Sequence, residues 1–126
     1  MATTPSFPPR LLRRLDQSRI LRLRAGTEPH RFIGIWVVVA RERVFVRSWE
    51  VTRNGWYHTL RRERTGRIQV GSRTLRVRAR VIRGERLLRA VDQAYAAKYQ
   101  TPGALKYVRG FRRGRRRATT TELLPW

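Results

Sequence analysis

The residues best suited to binding chemistry lie close together, in the stretch RVFVRSWEVTRNGWYHTL at residues 43–60. Arg47 can donate two parallel hydrogen bonds, and Ser48 carries a hydroxyl, where an alternating strand-like pattern ends. A triplet of flat rings follows after a short polar loop, namely Trp56, Tyr57 and His58. Strand ends commonly present binding groups, so these residue types suit a ligand with a phosphate and an aromatic ring. They equally suit a nucleic acid, whose backbone binds arginine and whose bases stack on rings.

The chain is also very basic, which indicates a second kind of site. It has 30 Lys and Arg residues against 8 Asp and Glu, a formal net charge of +22. Cationic surfaces gain affinity for nucleic acids by releasing counterions from phosphates. The candidate nucleic-acid residues belong to one alternating strand and to the run RRGRRR: Arg76, Arg78, Arg80, Arg112, Arg113, Arg115, Arg116 and Arg117. Compositional bias could equally account for all of these arginines, and the solvated outer face of a barrel could account for Arg76, Arg78 and Arg80. A nucleic-acid role and a role without functional meaning therefore both stay open.

Composition limits the remaining classes. The chain has no cysteine, which excludes disulfides, thiolate metal sites and cysteine nucleophiles. Its two histidines, His30 and His58, and its scattered carboxylates show no metal-ligand spacing. No stretch is apolar enough to span a bilayer or to form a signal-peptide core, so we expect a cytoplasmic protein with no membrane partner. Residues 1–9 are rich in Pro and Thr and are expected to be disordered, with residues 10–126 forming a single domain.

Hydrophobic periodicity predicts the elements that must position these residues. The apolar spacing of residues 11–15 predicts a short N-terminal helix, and residues 85–99 a longer one with Leu88, Val91, Tyr95 and Tyr99 on one face. Trp36 lies in the continuous apolar run 32–40, which predicts a central strand covered on both faces. Trp56–Glu63 reads as a helical turn, and RRGRRR as a loop between ordered elements. The other predicted strands are residues 20–24, 43–48, 67–70, 74–82 and 119–124. Together they favour a small barrel or an α+β domain.

Several segments in this order resemble a known family. VFVRSW, a loop, GWYHTL, the helix RLLRAVDQAYAAKY and the closing ATTTELLP look like the domain-of-unknown-function 2255 family of small bacterial proteins, over residues 18–126. More distantly, the layout is similar to the deazaflavin-dependent nitroreductases of the split-barrel flavin-binding superfamily. The resemblance implies a mainly β (α+β) split barrel of about six strands with one packing helix and a short N-terminal helix. It also implies a homodimer, with FMN or deazaflavin as cofactor.

The resemblance also implies a site and an activity. The ligand positions carried over are Arg47 and Ser48 at the strand end and Trp56, Tyr57 and His58 after the loop. In such enzymes the organic cofactor supplies the hydride chemistry, so no protein acid or base is assigned. The first expectation is therefore an oxidoreductase acting by hydride transfer on a small electrophile of unknown identity. The alternative is a non-enzymatic nucleic-acid-binding domain using the arginines named above, and a third is a cofactor-free interaction module.

Overall fold

A computed structural model describes residues 5–51 and 55–126 and shows one antiparallel sheet with helices around it. The chain runs α1 (Pro9–Gln17), β1 (Leu21–Ala25), β2 (Ile33–Ile35), β3 (Val38–Ala40), β4 (Arg43–Val46), α2 (Trp56–Glu63), β5 (Thr65–Val70), β6 (Arg73–Val81), α3 (Glu85–Lys98), a 3-10 turn (Pro102–Ala104), α4 (Leu105–Phe111), α5 (Gly114–Ala118) and β7 (Thr121–Pro125). The predicted mainly β, α+β class is confirmed. The described strands number seven rather than about six, and α4 and α5 add to the predicted helices.

The strand order makes the sheet curl into a half-barrel. The order is β2-β1-β5-β6-β7-β4-β3, so β2 and β3 form its two edges although they follow each other in sequence. Three Cα steps separate Ile35 from Val38, a span of at most about 11 Å. The two edges must therefore lie close together, which is the geometry of a split barrel.

The predicted central strand at residues 32–40 is wrong, because the run is broken at Trp36 and Val37 into the two edge strands. The backbone N–H of Val37 donates to the Tyr99 hydroxyl at 3.1 Å instead of to a neighbouring strand. The Val37 carbonyl accepts from Lys98 Nζ at 2.7 Å, and the Tyr99 hydroxyl donates its proton to the Arg19 carbonyl at 2.7 Å. The side chains of Lys98 and Tyr99, at the C-terminal end of α3, thus satisfy the backbone groups that a continuous strand would have used.

Two apolar cores lie on opposite sides of the sheet, because successive strand residues point to opposite faces. In β4, Val44 and Val46 enter the core inside the curl, while Phe45 enters the core under α3 and α4. The predicted helical face of residues 85–99 is confirmed, since Leu88, Val91, Tyr95 and Tyr99 all belong to this second core. β4 is therefore covered on both faces, and its C-terminal end leads directly into the candidate site.

Two further predictions need correction. The run RRGRRR is not a loop, because Arg112 follows the last turn of α4 and residues 114–118 form α5. Gly114 adopts φ +62°, a left-handed conformation that lets the chain turn between these helices. At the N-terminus, where disorder was expected, Phe7 is 5% exposed and packs into the core inside the curl, and α1 begins at Pro9. Residues 1–4 of that segment lie outside the described residues.

Candidate functional site

Arg47, at the end of β4, is held almost entirely by the protein itself. Its guanidinium donates through Nη1 to Asp92 Oδ1 at 2.6 Å and to the Phe111 carbonyl at 2.8 Å. Nη2 donates to the Leu88 carbonyl at 3.1 Å and Nε to Thr120 Oγ1 at 2.7 Å. A guanidinium has five N–H groups, so at most one is left for a ligand. Burial lowers the pKa of Arg47 from its ordinary value, and the Asp92 carboxylate opposes that shift.

Ser48 is likewise buried and its polar groups are used internally. Its backbone N–H donates to Thr119 Oγ1 at 2.8 Å, and its hydroxyl donates to the Glu50 carbonyl. These bonds fix the turn that the chain makes after β4. Arg47 and Ser48 therefore build the strand end, while the surface that faces solvent is formed by the residues around them.

The end of β4 opens into a cavity of about 320 Å³, named here the aromatic cavity. Its walls come from the first edge of the sheet, from the segment after β4, and from α2 and α4. The lining residues are Ile20, Gly34, Ile35, Trp36, Arg47, Trp49, Glu50, Trp56, Tyr107 and Phe111. Five of these carry aromatic rings, so the cavity offers flat apolar walls to a planar ligand.

The rings of the cavity hold one another in place. Trp36 stacks on Tyr99 with ring centroids 3.9 Å apart and an interplanar angle of 4°. Trp49 meets Tyr107 edge to face at 4.8 Å and Phe111 at 5.6 Å. Trp49 also carries the Arg116 guanidinium, whose Cζ lies 3.6 Å from the indole centroid. Ring pairs of this geometry add stability beyond the area that they bury, so the walls are preformed.

The structure brings only part of the predicted ligand set to the cavity. Arg47 and Trp56 line it, whereas Ser48 is buried and is not among the described lining residues. Tyr57, on α2, is 7% exposed and faces the His58 ring edge to face at 5.2 Å. Neither of these two is among the described lining residues, and His58 Nε2 has no hydrogen-bond partner among the residues that the structure describes. Their roles as ligand residues stay predictions, as do the roles of Arg47 and Ser48.

The lining also includes residues that the sequence patterns missed. Trp36 was expected to be core, and it does pack there with one face, but it is half-buried and also lines the cavity. Tyr107 and Phe111 are four residues apart on α4, a spacing that places both on one helical face. This aromatic pair is the sequence feature that indicates the site, but only once α4, which was not predicted, is known to be a helix.

The predicted nucleic-acid arginines fall into two groups. Several are engaged within the protein: Arg76 and Arg78 on the Trp126 ring, Arg80 with Glu122, Arg116 with Trp49, and Arg117 with Glu85 and Asp92. Arg112, Arg113 and Arg115 are exposed and pair with no carboxylate in the described part of the chain. Among the predicted nucleic-acid arginines, these three without a described partner lie in α5 or directly before it.

A family model described as "Uncharacterized protein conserved in bacteria (DUF2255)" matches residues 11–123, nearly the whole chain. The chain belongs to the DUF2255 family. This confirms the resemblance found in the VFVRSW and GWYHTL segments. No curated protein sequence matches this DUF2255 chain significantly.

Two solved structures share the fold of this DUF2255 member. The conserved hypothetical protein Rv2991 of Mycobacterium tuberculosis is 13% identical, with a TM-score of 0.61 over 98% of this chain and 82% of that one. A FAD-binding protein of Mesorhizobium loti (mll6688) is 14% identical, with a TM-score of 0.59 over 100% of this chain and 94% of that one. At such identities the likeness shows the fold, and fold alone does not fix function.

Other classes of site are not apparent in the described residues. Across residues 5–51 and 55–126, no three or more His, Asp or Glu side chains cluster as a metal site would require. Each helix in these ranges is too short or too polar to cross a membrane.

Proposed function

We propose that this protein binds a flavin whose ring system lies in the aromatic cavity. The observation that carries the proposal is the cavity itself, in which the rings of Trp36, Trp49, Trp56, Tyr107 and Phe111 surround about 320 Å³ at the end of β4. Ligand cavities in proteins commonly have about 300–1,000 Å³ and mostly apolar walls, so this one suits a planar ring system. The fold shared with a FAD-binding protein supports the choice of a flavin over other planar ligands.

The polar groups at the cavity fit the ring rather than the phosphate of such a cofactor. Glu50 is the one carboxylate among the described lining residues, and a carboxylate accepts hydrogen bonds from N–H groups such as the imide of a flavin ring. Arg47 also lines the cavity but has at most one N–H available for a ligand. We therefore assign Arg47 and Ser48 to shaping the end of β4, and the indoles to contact with the ring.

The bound flavin, or a deazaflavin of the same shape, would supply hydride transfer to a small electrophile. The chain's own residues orient the ring between aromatic walls and keep water from its buried face. No acid or base from the protein is needed for this step. The activity proposed is that of an oxidoreductase, acting on a small-molecule substrate over the open side of the cavity.

The proposal is tested with protein that has been freed of nucleic acid. Titrations with FMN and with a deazaflavin, followed by fluorescence quenching at moderate salt, are expected to show saturable binding. After the flavin bound to wild type has been chemically reduced, it is expected to pass electrons to a nitroaromatic acceptor faster than free reduced flavin does. Absence of saturable binding to both cofactors would overturn the proposal. Binding without electron transfer would confine it to a flavin-binding role.

A further inference from the structure

A second concave surface shares a wall with the aromatic cavity. It is a groove of about 650 Å³, named here the basic groove, and its cationic residues are Lys106, Arg109, Arg113, Arg115 and Arg116. Among the described residues that line it there is no carboxylate. The charged side chains that line the groove, among the described residues, are therefore all cationic.

Helix α4 and Trp49 form the wall between the two. Tyr107 and Phe111 face the aromatic cavity, while Lys106, Arg109 and Gly110 of the same helix line the basic groove. Arg116 belongs to the groove, yet its Nε donates to the Trp49 carbonyl at 2.9 Å and its guanidinium lies over the Trp49 ring. A ligand in the cavity is therefore separated from the groove by one indole and one helical turn.

The charge of the groove is not compensated within the described part of the chain. The carboxylates of Glu122, Asp92 and Glu85 neutralise arginines elsewhere, as in the pairs with Arg43 and Arg117. Arg109, Arg113 and Arg115 have no such partner among the residues described. Arginine forks bind phosphate oxygens through two parallel hydrogen bonds, so several uncompensated arginines around one groove suit a phosphate group.

We propose that the basic groove binds the phosphate-bearing tail of the flavin whose ring lies in the aromatic cavity. This inference rests on the proposed function and names the phosphate-binding residues that the aromatic cavity itself does not provide. Arg47 was the predicted phosphate ligand, but its guanidinium is used by Asp92, Thr120 and two backbone carbonyls. The groove supplies the missing positive charge next to the ring, on residues that are free to donate.

The test compares riboflavin, which has no phosphate, with FMN and FAD. Fluorescence titrations at low and moderate salt are made for wild type and for the double variant Arg113→Ser/Arg115→Ser. A matched control is Arg61→Ser/Arg83→Ser, which removes the same charge from exposed arginines of a different groove. All four positions are exposed, so both double variants are expected to keep the wild-type unfolding midpoint, which is checked first.

In wild type, FMN and FAD are expected to bind roughly ten-fold or more tightly than riboflavin at low salt, as charge-assisted hydrogen bonds would give. Arg113→Ser/Arg115→Ser is expected to lose most of this preference while its riboflavin affinity stays unchanged, and the control is expected to keep the preference. If riboflavin, FMN and FAD all fail to bind wild type, the flavin proposal falls and this inference with it. If riboflavin binds, three results overturn the inference and leave the ring site in place. They are no preference of wild type for FMN and FAD over riboflavin, a preference that survives in the groove variant, and a preference that falls equally in the control. Loss of single-stranded oligonucleotide binding in the groove variant, with the flavin preference intact, would likewise overturn it and make the groove a polyanion site.

Discussion

The Arg47 guanidinium and the Asp92 carboxylate form a buried ion pair, with Nη1 2.6 Å from Oδ1. Arg47 directly follows β4 and Asp92 lies on α3, so the pair joins the sheet to the helix that covers it. Asp92 is shared with Arg117, whose Nη2 lies 3.0 Å from Oδ2. Thr120 and two backbone carbonyls complete the surroundings of the guanidinium, so both charges are compensated although they are buried.

Arg47→Met is expected to destabilise the fold. Removing one partner of a buried pair leaves the other charge without full compensation, at a cost of about 3 kcal/mol in the free energy of unfolding. Arg47→Met/Asp92→Leu removes both charges and is expected to lose less than the sum of the two single variants. Urea unfolding gives the free energy of unfolding of wild type, of the two single variants and of the double variant. Additive losses would show that the pair is not coupled.

The second buried carboxylate, Glu122 on β7, bridges Arg43 and Arg80, which we expect to contribute unequally to stability. Arg43 holds it in a fork, with Nε 2.8 Å from Oε2 and Nη2 2.7 Å from Oε1, whereas Arg80 reaches Oε1 at 2.9 Å from a more exposed position. Arg43→Met is expected to cost about 2–3 kcal/mol of unfolding free energy and Arg80→Met about 1 kcal/mol. The double variant is expected to lose more than the sum. Equal losses in the two single variants would contradict the difference in geometry.

Lys98 gives the fold a specific pH dependence. Its Nζ donates to the Leu15 and Val37 carbonyls, and burial lowers its pKa from 10.5 to about 8. Between pH 8 and 10.5 the unfolded chain therefore holds more protons at this residue than the folded chain, so stability rises with pH across that window. Wild type is expected to gain unfolding free energy relative to Lys98→Met over this range. Tyrosine ionisation cancels in the difference, and parallel pH profiles would refute the assignment.

Gly110 keeps the wall between the aromatic cavity and the basic groove thin. A Cβ at this position would lie 2.6 Å from Trp49 Cη2, so the indole would have to move. Gly110→Ala is expected to weaken riboflavin binding by displacing Trp49, although alanine favours the helix by about 1 kcal/mol. Gly103→Ala, where a Cβ meets nothing within 4 Å, is the control. Unchanged riboflavin affinity in Gly110→Ala would show that Trp49 does not define the cavity.

Local patterns predicted much of the sheet and the longest helix. The alternation of residues 74–82 located β6, and the helical face from Leu88 to Tyr99 located α3, because each pattern depends on neighbouring residues. The break at Val37 could not be predicted in this way, since it depends on the Tyr99 hydroxyl 62 residues away. Helix α4 was missed because it is short and contains Gly110, and its stability comes from burying Val108 and Phe111 in the core under α3.

The candidate site was predicted only in its location. The stretch from Arg47 to Trp56 does lead to the aromatic cavity, because a strand end and a helix start meet there. The partner of Arg47 was outside local reach, since Asp92 lies 45 residues further along the chain. Sequence alone could not show that this arginine is used up inside the protein, nor that Trp49 packs edge to face against Tyr107 in the wall of the cavity.

The central claim is that the aromatic cavity holds a flavin ring, and a riboflavin titration of two tryptophan variants tests it most directly. Trp49 lines the cavity, whereas Trp126, 53% exposed, lies against Arg76 outside it. Loss of one stacking wall is expected to weaken riboflavin binding in Trp49→Ala by roughly ten-fold, since ring stacking contributes about 0.5–1.5 kcal/mol beyond the buried area. Trp126→Ala is expected to bind riboflavin as wild type does. Unchanged affinity in Trp49→Ala, or a loss confined to Trp126→Ala, would contradict the account.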